Sequence, residues 1–268
     1  MNLNELIPFL KELNIKPKKG LSQNFLIDPT VVKKITQTAE VKSGDIVLEI
    51  GPGPGALTDK LLKLGAKVYA VEMDPILAQQ LHRFQNGNLT VIEADILKFS
   101  LSQLPPNIKI VANLPYHITT PILEKIFLNS FSSLTIMVQK EVADRMIAVA
   151  GSKTFGSLSL FVQFYSKLHS HFIVPPNSFY PQPKIDSTVI RLDSHPTPNI
   201  DPIFFFSLTR KAFQQRRKMI SSTLPFPKDG IRATLEKIGE RADARPEALS
   251  LDQWVRFAQE LNLMKKDE

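Results

Sequence analysis

Between Asp45 and about Gln139, short apolar runs rich in β-branched residues alternate with stretches of helical period. The runs are Ile46–Ile50, Val68–Glu72, Leu89–Ile92, Ile108–Ala112 and Leu134–Val138, and the helical stretches include Ala56–Leu64 and Pro75–Phe84. Apolar runs of this length read as strands, and strands alternating with helices specify a parallel sheet covered on both faces. Two later runs, Leu168–Val174 and Thr188–Leu192, have no helical stretch between them, only Pro175, Pro176, Pro181 and Pro183. They are expected to pair antiparallel at one sheet edge. The pattern thus predicts an α/β fold of about seven mostly parallel strands.

After Leu192 the pattern changes. Ser194-His195-Pro196-Thr197-Pro198 reads as a linker, because closely spaced prolines interrupt both helix and sheet. Asp201 followed by Pro202 is a helix start, and Ser250 with Gln253 forms a capping box opening Leu251–Leu263. At about 100° per residue, Leu251, Trp254, Val255, Ala258 and Leu261 share one face of that helix. On the helix after Asp201, the stripe is Phe205, Thr209, Phe213 and Ile220. Arg216 falls inside the stripe, so either the helix stops before it or Arg216 has a specific partner. These features predict a domain over residues 1–195, with a basic arm up to residue 24, and a small helical domain over 196–268. At the start, Met1–Leu13 reads as an amphipathic helix carrying Glu5 and Glu12. It has neither the basic-then-apolar order of a secretory signal nor the acid-free, Arg-rich composition of a transit peptide.

Composition narrows the chemistry. The 268 residues include no cysteine, which excludes disulfides, thiolate nucleophiles and Cys-based zinc sites. Five histidines lie without metal-ligand spacing, so no metal is expected. No apolar run approaches the roughly 20 residues of a membrane span, and a soluble, cytoplasmic, monomeric protein is expected. Lys plus Arg number 33 against 26 Asp plus Glu, a net charge of +7. An excess of this sign favours polyanionic partners where the cations cluster.

The first run leads into Glu49-Ile50-Gly51-Pro52-Gly53-Pro54-Gly55. Glycines there permit a tight turn and close approach of a ligand to the backbone. Gly51, Gly53 and Ala56 also fit a dinucleotide pattern, so the loop alone leaves NAD and S-adenosylmethionine both open. Glu72 ends the second run, where a carboxylate accepts ribose hydroxyls. Asp95, after the third, is placed to accept from an adenine amine. The fourth run enters Asn113-Leu114-Pro115-Tyr116, at a strand end that faces the ligand crevice of an open parallel sheet.

That tetrapeptide suits alkylation of an exocyclic base amine, whose lone pair is delocalised into the ring. The Asn113 side-chain carbonyl and the Leu114 backbone carbonyl can each accept one amine hydrogen, turning the lone pair toward a methyl donor. Pro115 pushes Leu114 toward extended geometry, and Tyr116 offers a face for stacking. A dehydrogenase has no use for this arrangement. The target base must leave its stack to reach such a site, and Phe179, on the proline-stiffened loop, is a candidate second aromatic wall. Lys16, Lys18 and Lys19 form a basic arm. Arg210, Lys211, Arg217 and Lys218 make an exposed cationic surface suited to a phosphate backbone.

Taken together, these segments resemble the KsgA/RsmA family of small-subunit rRNA adenine dimethyltransferases. The resemblance also covers Leu21-Ser22-Gln23-Asn24-Phe25-Leu26, Gln139–Arg145, Phe179 with Pro181–Ser187, and Ala212–Lys218. It implies a class I methyltransferase domain of seven strands, a helical C-terminal domain, and S-adenosylmethionine as cofactor. It further implies dimethylation of two adjacent adenosines near the 3′ end of 16S rRNA within the small ribosomal subunit. Cofactor contacts carry over to Asn24, Leu26, Gly51, Glu72, Asp95 and Asn113. Ser22 and His117 depart from the family, where Gly and Asn are common. Three other types share part of this pattern. The erythromycin-resistance type, acting on 23S rRNA, usually has Ile at the Leu114 position. A non-catalytic nucleic-acid-binding paralogue would not need Asn113–Tyr116. A DNA adenine methyltransferase usually carries a second proline in the tetrapeptide.

Overall fold

A computed structural model of the chain describes residues 1–17, 23–84 and 87–264. The strands are β1 (Phe25–Leu26), β2 (Ile46–Ile50), β3 (Lys67–Glu72), β4 (Leu89–Glu93), β5 (Ile108–Asn113), β6 (Phe131–Gln139), β7 (Ser166–Val174), β8 (Phe179–Tyr180) and β9 (Ser187–Ser194). Helices α1 (Leu3–Glu12), α2 (Pro29–Thr38), α3 (Ala56–Lys63), α4 (Pro75–Leu81) and α5 (Thr119–Phe127) accompany the first strands. They are followed by α6 (Lys140–Met146), α7 (Ser157–Tyr165), α8 (Pro202–Gln214), α9 (Lys228–Lys237) and α10 (Leu251–Met264).

Seven strands form one sheet in the order β4-β3-β2-β5-β6-β9-β7. β4, β3, β2, β5 and β6 run parallel, and β9 pairs antiparallel with β6, placing Met137 opposite Val189. The central strands are covered on both faces, which is why they read as continuous apolar runs. Val47, Leu48, Val68, Ala70, Ile110, Leu134 and Ile136 are all essentially inaccessible. This is the α/β architecture that the strand–helix alternation predicts, including its antiparallel end. β1 and β8 form a separate two-stranded pair, with Phe25 opposite Tyr180 and Leu26 opposite Phe179.

Three helices begin on Asp-Pro pairs. Asp28, Asp74 and Asp201 accept from the amides two and three residues on, while Pro29, Pro75 and Pro202 occupy the first turn. A short acceptor before a residue with fixed φ satisfies free amides and pre-sets the helix. At α10 the capping box closes as expected, Ser250 Oγ accepting from the Gln253 amide and Gln253 Oε1 from that of Ser250. Among the described residues no helix is long and apolar enough to cross a membrane.

The chain divides into two compact units, but not by the single cut near residue 195 that the linker suggests. One unit comprises Met1–Ala143 and Leu168–Ser194, the other Asp144–Lys167 and His195–Glu268. The cause is the apolar stretch around α7: Phe155, Leu160 and Phe164 share a core with Phe205, Trp254 and Phe257. Phe164 meets Phe205 at 5.0 Å between ring centres, and the Trp254 indole donates to the Pro246 carbonyl at 3.2 Å.

In the second unit α8 stops at Gln214, short of the stripe's extension to Ile220. Arg216 therefore leaves the apolar face, and it also has partners. Its Nη2 donates to the Ser152 carbonyl at 3.1 Å, and its Nε lies 3.8 Å from the Glu247 carboxylate. Arg217 and Lys218 consequently stand on the turns after the helix, not on it.

Candidate active site

A cavity of about 270 Å³ opens at the carboxyl ends of β2, β3, β4 and β5. This is where an open parallel sheet binds its ligands. Its wall combines Gln23–Leu26, the loop after β2, Glu72 and Met73, Ala94–Leu97, and the segment from Asn113 to Ile118.

The loop is set by glycines. Gly51, Gly53 and Gly55 have φ of +64°, +55° and +82°, values that side chains disfavour. At Gly51 a Cβ would have no protein atom within 4 Å, so this backbone leaves open space beside the cavity it lines. At Gly55 a Cβ would come within 2.4 Å of the Phe84 ring.

Glu72 is fixed by backbone amides. Its Oε2 accepts from Gly53 at 3.0 Å and its Oε1 from Asp74 at 2.9 Å. Burial pushes its carboxyl above the usual range, while those amides pull the other way. Each oxygen retains a lone pair for a further donor. Asp95 lines the cavity and uses Oδ1 to accept from the Leu97 amide at 2.9 Å, so it caps its own turn as well.

Asn113 ends β5. Its Nδ2 donates to the Asn24 backbone carbonyl at 3.1 Å. That bond fixes the amide orientation and leaves Oδ1 buried without a partner. An unmet buried acceptor costs about 1–3 kcal/mol, and because Asn113 lines the cavity a ligand donor brought against it would satisfy that acceptor. Leu114 is anchored from behind, its amide donating to the Met137 carbonyl at 3.1 Å. Pro115 opens a single 3₁₀ turn, Tyr116–Ile118, that the Thr119 hydroxyl ties to the Pro115 and Tyr116 carbonyls. Tyr116 is held at its far end by a 2.7 Å bond between its hydroxyl and Ser187 Oγ. Burial pushes that phenol up, so it stays neutral and its ring is a fixed face.

Nine expected residues therefore meet at one cavity: Asn24, Leu26, Gly51, Glu72, Asp95, Asn113, Leu114, Pro115 and Tyr116. Two do not. Gly53 spends its amide on Glu72 and is not part of the wall. Phe179, expected as a second stacking wall, is 3% exposed and belongs to the core that includes Leu26, Met137, Val174 and Val189. Pairing of β8 with β1 is what carries it inward.

Of the expected RNA contacts, Lys16, Arg210, Lys211, Arg217 and Lys218 are exposed. Lys18 and Lys19, like Ser22, lie outside the described residues. Two participants were not picked out as site residues: Ser187, behind Tyr116, and Glu49. Glu49 lines the cavity, is fully buried, accepts from the Thr58 hydroxyl at 2.7 Å, and its carboxyl rises to about 8. A lone charge inside the apolar run Ile46–Ile50 was the available signal.

A parallel sheet carrying this loop and these carboxylates beside a braced asparagine is the architecture of the class I methyltransferases. Residues 14–263 match the sequence profile of the ribosomal RNA adenine dimethylase family. A curated relative from Protochlamydia amoebophila, named ribosomal RNA small subunit methyltransferase A, is 47% identical over 96% of each chain. The solved dimethyladenosine transferase of Plasmodium falciparum matches with a TM-score of 0.79 at 27% identity, covering 90% of this chain and 98% of that one. The 23S rRNA methyltransferase ErmE matches with a TM-score of 0.71, also at 27% identity, covering 89% and 100%. The chain belongs to the ribosomal RNA adenine dimethylase family.

Proposed function

We propose that this enzyme dimethylates N6 of two adjacent adenosines near the 3′ end of 16S rRNA in the small ribosomal subunit, using S-adenosylmethionine. The observation that carries the chemistry is Asn113 Oδ1, buried, unpartnered and oriented by the Asn24 carbonyl. The choice of the small subunit over 23S rRNA rests on the curated relatives at 41–47% identity that share one name.

The cavity fits the cofactor in three respects: open space at Gly51, a braced carboxylate at Glu72, and Asp95 on the wall. Glu72 would hold the ribose hydroxyls and Asp95 the adenine amine, with Asn24, Leu26 and Gly51 lining the rest. When bound, the cofactor supplies an electrophilic methyl carbon on a sulfonium. In the first transfer Asn113 Oδ1 accepts one hydrogen of the target amine and the Leu114 carbonyl the other, so the nitrogen lone pair faces that carbon. In the second, the monomethylated amine has one hydrogen left and engages one of the two acceptors. Tyr116, braced by Ser187, stacks on the base. As the N–C bond forms the sulfonium S–C bond breaks, leaving S-adenosylhomocysteine, and no strong base is required because the alkylated amine is acidic enough to lose its proton to water. Lys16, Lys18, Lys19, Arg210, Lys211, Arg217 and Lys218 are proposed phosphate contacts, acting without base readout. Cytoplasmic location and action as a monomer complete the reading.

The test is incubation with labelled S-adenosylmethionine and unmodified small subunits, followed by mass spectrometry of the nucleosides. N6,N6-dimethyladenosine in 16S rRNA is expected. Label confined to 23S rRNA or to DNA would overturn the reading.

A further inference from the structure

Arg83 sits in the 3₁₀ turn His82–Phe84 that follows α4 and is not part of the cavity wall. Its guanidinium nevertheless connects the glycine loop to the N-terminal helix. Nη2 donates to the Pro54 carbonyl, and Nη1 donates to the Gln80 carbonyl at 2.6 Å. The same cation lies 4.6 Å from the Phe9 ring centre on α1 and 4.2 Å from that of Phe84. Pro54 is itself cavity wall, and Phe84 is the ring against which Gly55 packs. α1 is seated by Leu6 and Leu10, which form one apolar cluster with Phe25 and Leu77.

A loop with three glycines at positive φ has much freedom to lose on binding. Affinity is gained when such a segment is ordered beforehand. Arginine suits the task because its planar fork reaches two carbonyls while its faces lie on rings, which a lysine point charge does not reproduce. We propose that Arg83 is a positioning residue for the cofactor, clamping the Pro54 carbonyl so that the loop's binding conformation depends on α1 being docked. The proposal rests on the reading of this cavity as the S-adenosylmethionine site.

The experiment is calorimetric titration of the full chain with S-adenosylmethionine and with S-adenosylhomocysteine, alongside turnover at saturating cofactor. Arg83→Ala and Arg83→Gln should each weaken both ligands about tenfold, the consequence of losing a charge-assisted hydrogen bond. KM for the cofactor should rise to match while kcat stays near wild type. Phe9→Ala should cost about threefold through the ring contact alone. Arg83→Lys, which keeps the charge and the donor, should recover part of the affinity and serves also where the alanine variant folds poorly. Wild-type affinity in both neutral variants overturns the proposal. A joint fall of affinity, kcat and melting temperature overturns it in favour of a general folding role. Failure of the wild-type chain to bind either ligand overturns instead the cofactor reading beneath it.

Discussion

Replacing Glu49 by glutamine isolates the effect of one buried proton. Glu49 is 1% exposed, and its carboxyl rises from 4.5 to about 8. Burial is the main cause, opposed by the Thr58 hydroxyl and reinforced by the charge of Glu72. In the unfolded chain the same group titrates near 4.5. Between those values the folded state holds one proton more than the unfolded state, so rising pH favours unfolding. Stability from this group is complete below pH 4.5 and is lost as pH climbs through about 8. The slope is about 1.4 kcal/mol per pH unit. Over pH 5 to 8 the loss from Glu49 alone is therefore about 4 kcal/mol. Glutamine does not titrate and keeps a carbonyl for the Thr58 hydroxyl, bonded at 2.7 Å in the parent. Glu72, also raised, contributes to both proteins and largely cancels in the difference. Urea denaturation at half-unit pH steps should show the parent weakening relative to E49Q by that amount across the window. Parallel pH profiles for the two proteins would refute a neutral, buried Glu49.

Further outcomes follow from other contacts. Asn113→Ala should lower turnover at saturating cofactor about 100- to 1000-fold, the usual loss for one transition-state hydrogen-bond partner; unaltered turnover would sink the role given to Oδ1. Tyr116→Phe and Ser187→Ala each remove the same 2.7 Å bond. The double variant should therefore cost no more than either single one, with a coupling energy of about 1 kcal/mol, and additive losses in methylation rate would show that the two hydroxyls act separately. Gly55→Ala places a Cβ within 2.4 Å of Phe84 at φ +82°, so it should destabilise by about 2 kcal/mol or more; an unchanged thermal midpoint would contradict the packing.

Much of the fold and most of the site are legible from local pattern. Period and β-branching mark β2 to β6 because burial on both faces leaves no choice of residue. Asp74-Pro75 and Asp201-Pro202 announce helices because capping is a matter of adjacent residues. The cavity is readable for the same reason: in a parallel sheet, whatever follows a strand's carboxyl end shares one crevice, so Gly51, Glu72, Asp95 and Asn113 meet there. What escapes is decided by partners distant in sequence. Phe179 reads as a free aromatic until β8 pairs with β1. Gly53 reads as a ligand contact until its amide is found on Glu72. The stripe through Phe213 and Ile220 continues in helical phase although α8 ends at Gln214, where the next residue leaves helical geometry. Residues 144–167 read with the first domain because nothing local tells which core Phe155 and Phe164 will enter.

The strand order has a consequence for how the sheet is assembled. β7 precedes β9 in the chain, yet in the finished sheet its neighbour is β9, which stands between it and β6. β7 therefore cannot join by simple growth from the parallel half. Its ladder partner in the sheet exists only once residues 187–194 lie beside β6. The last strand made is the one that admits an earlier one, so a nascent chain stopped short of Ser187 carries the parallel strands, the glycine loop and Asn113, but neither the end of the sheet nor the hydroxyl that steadies Tyr116.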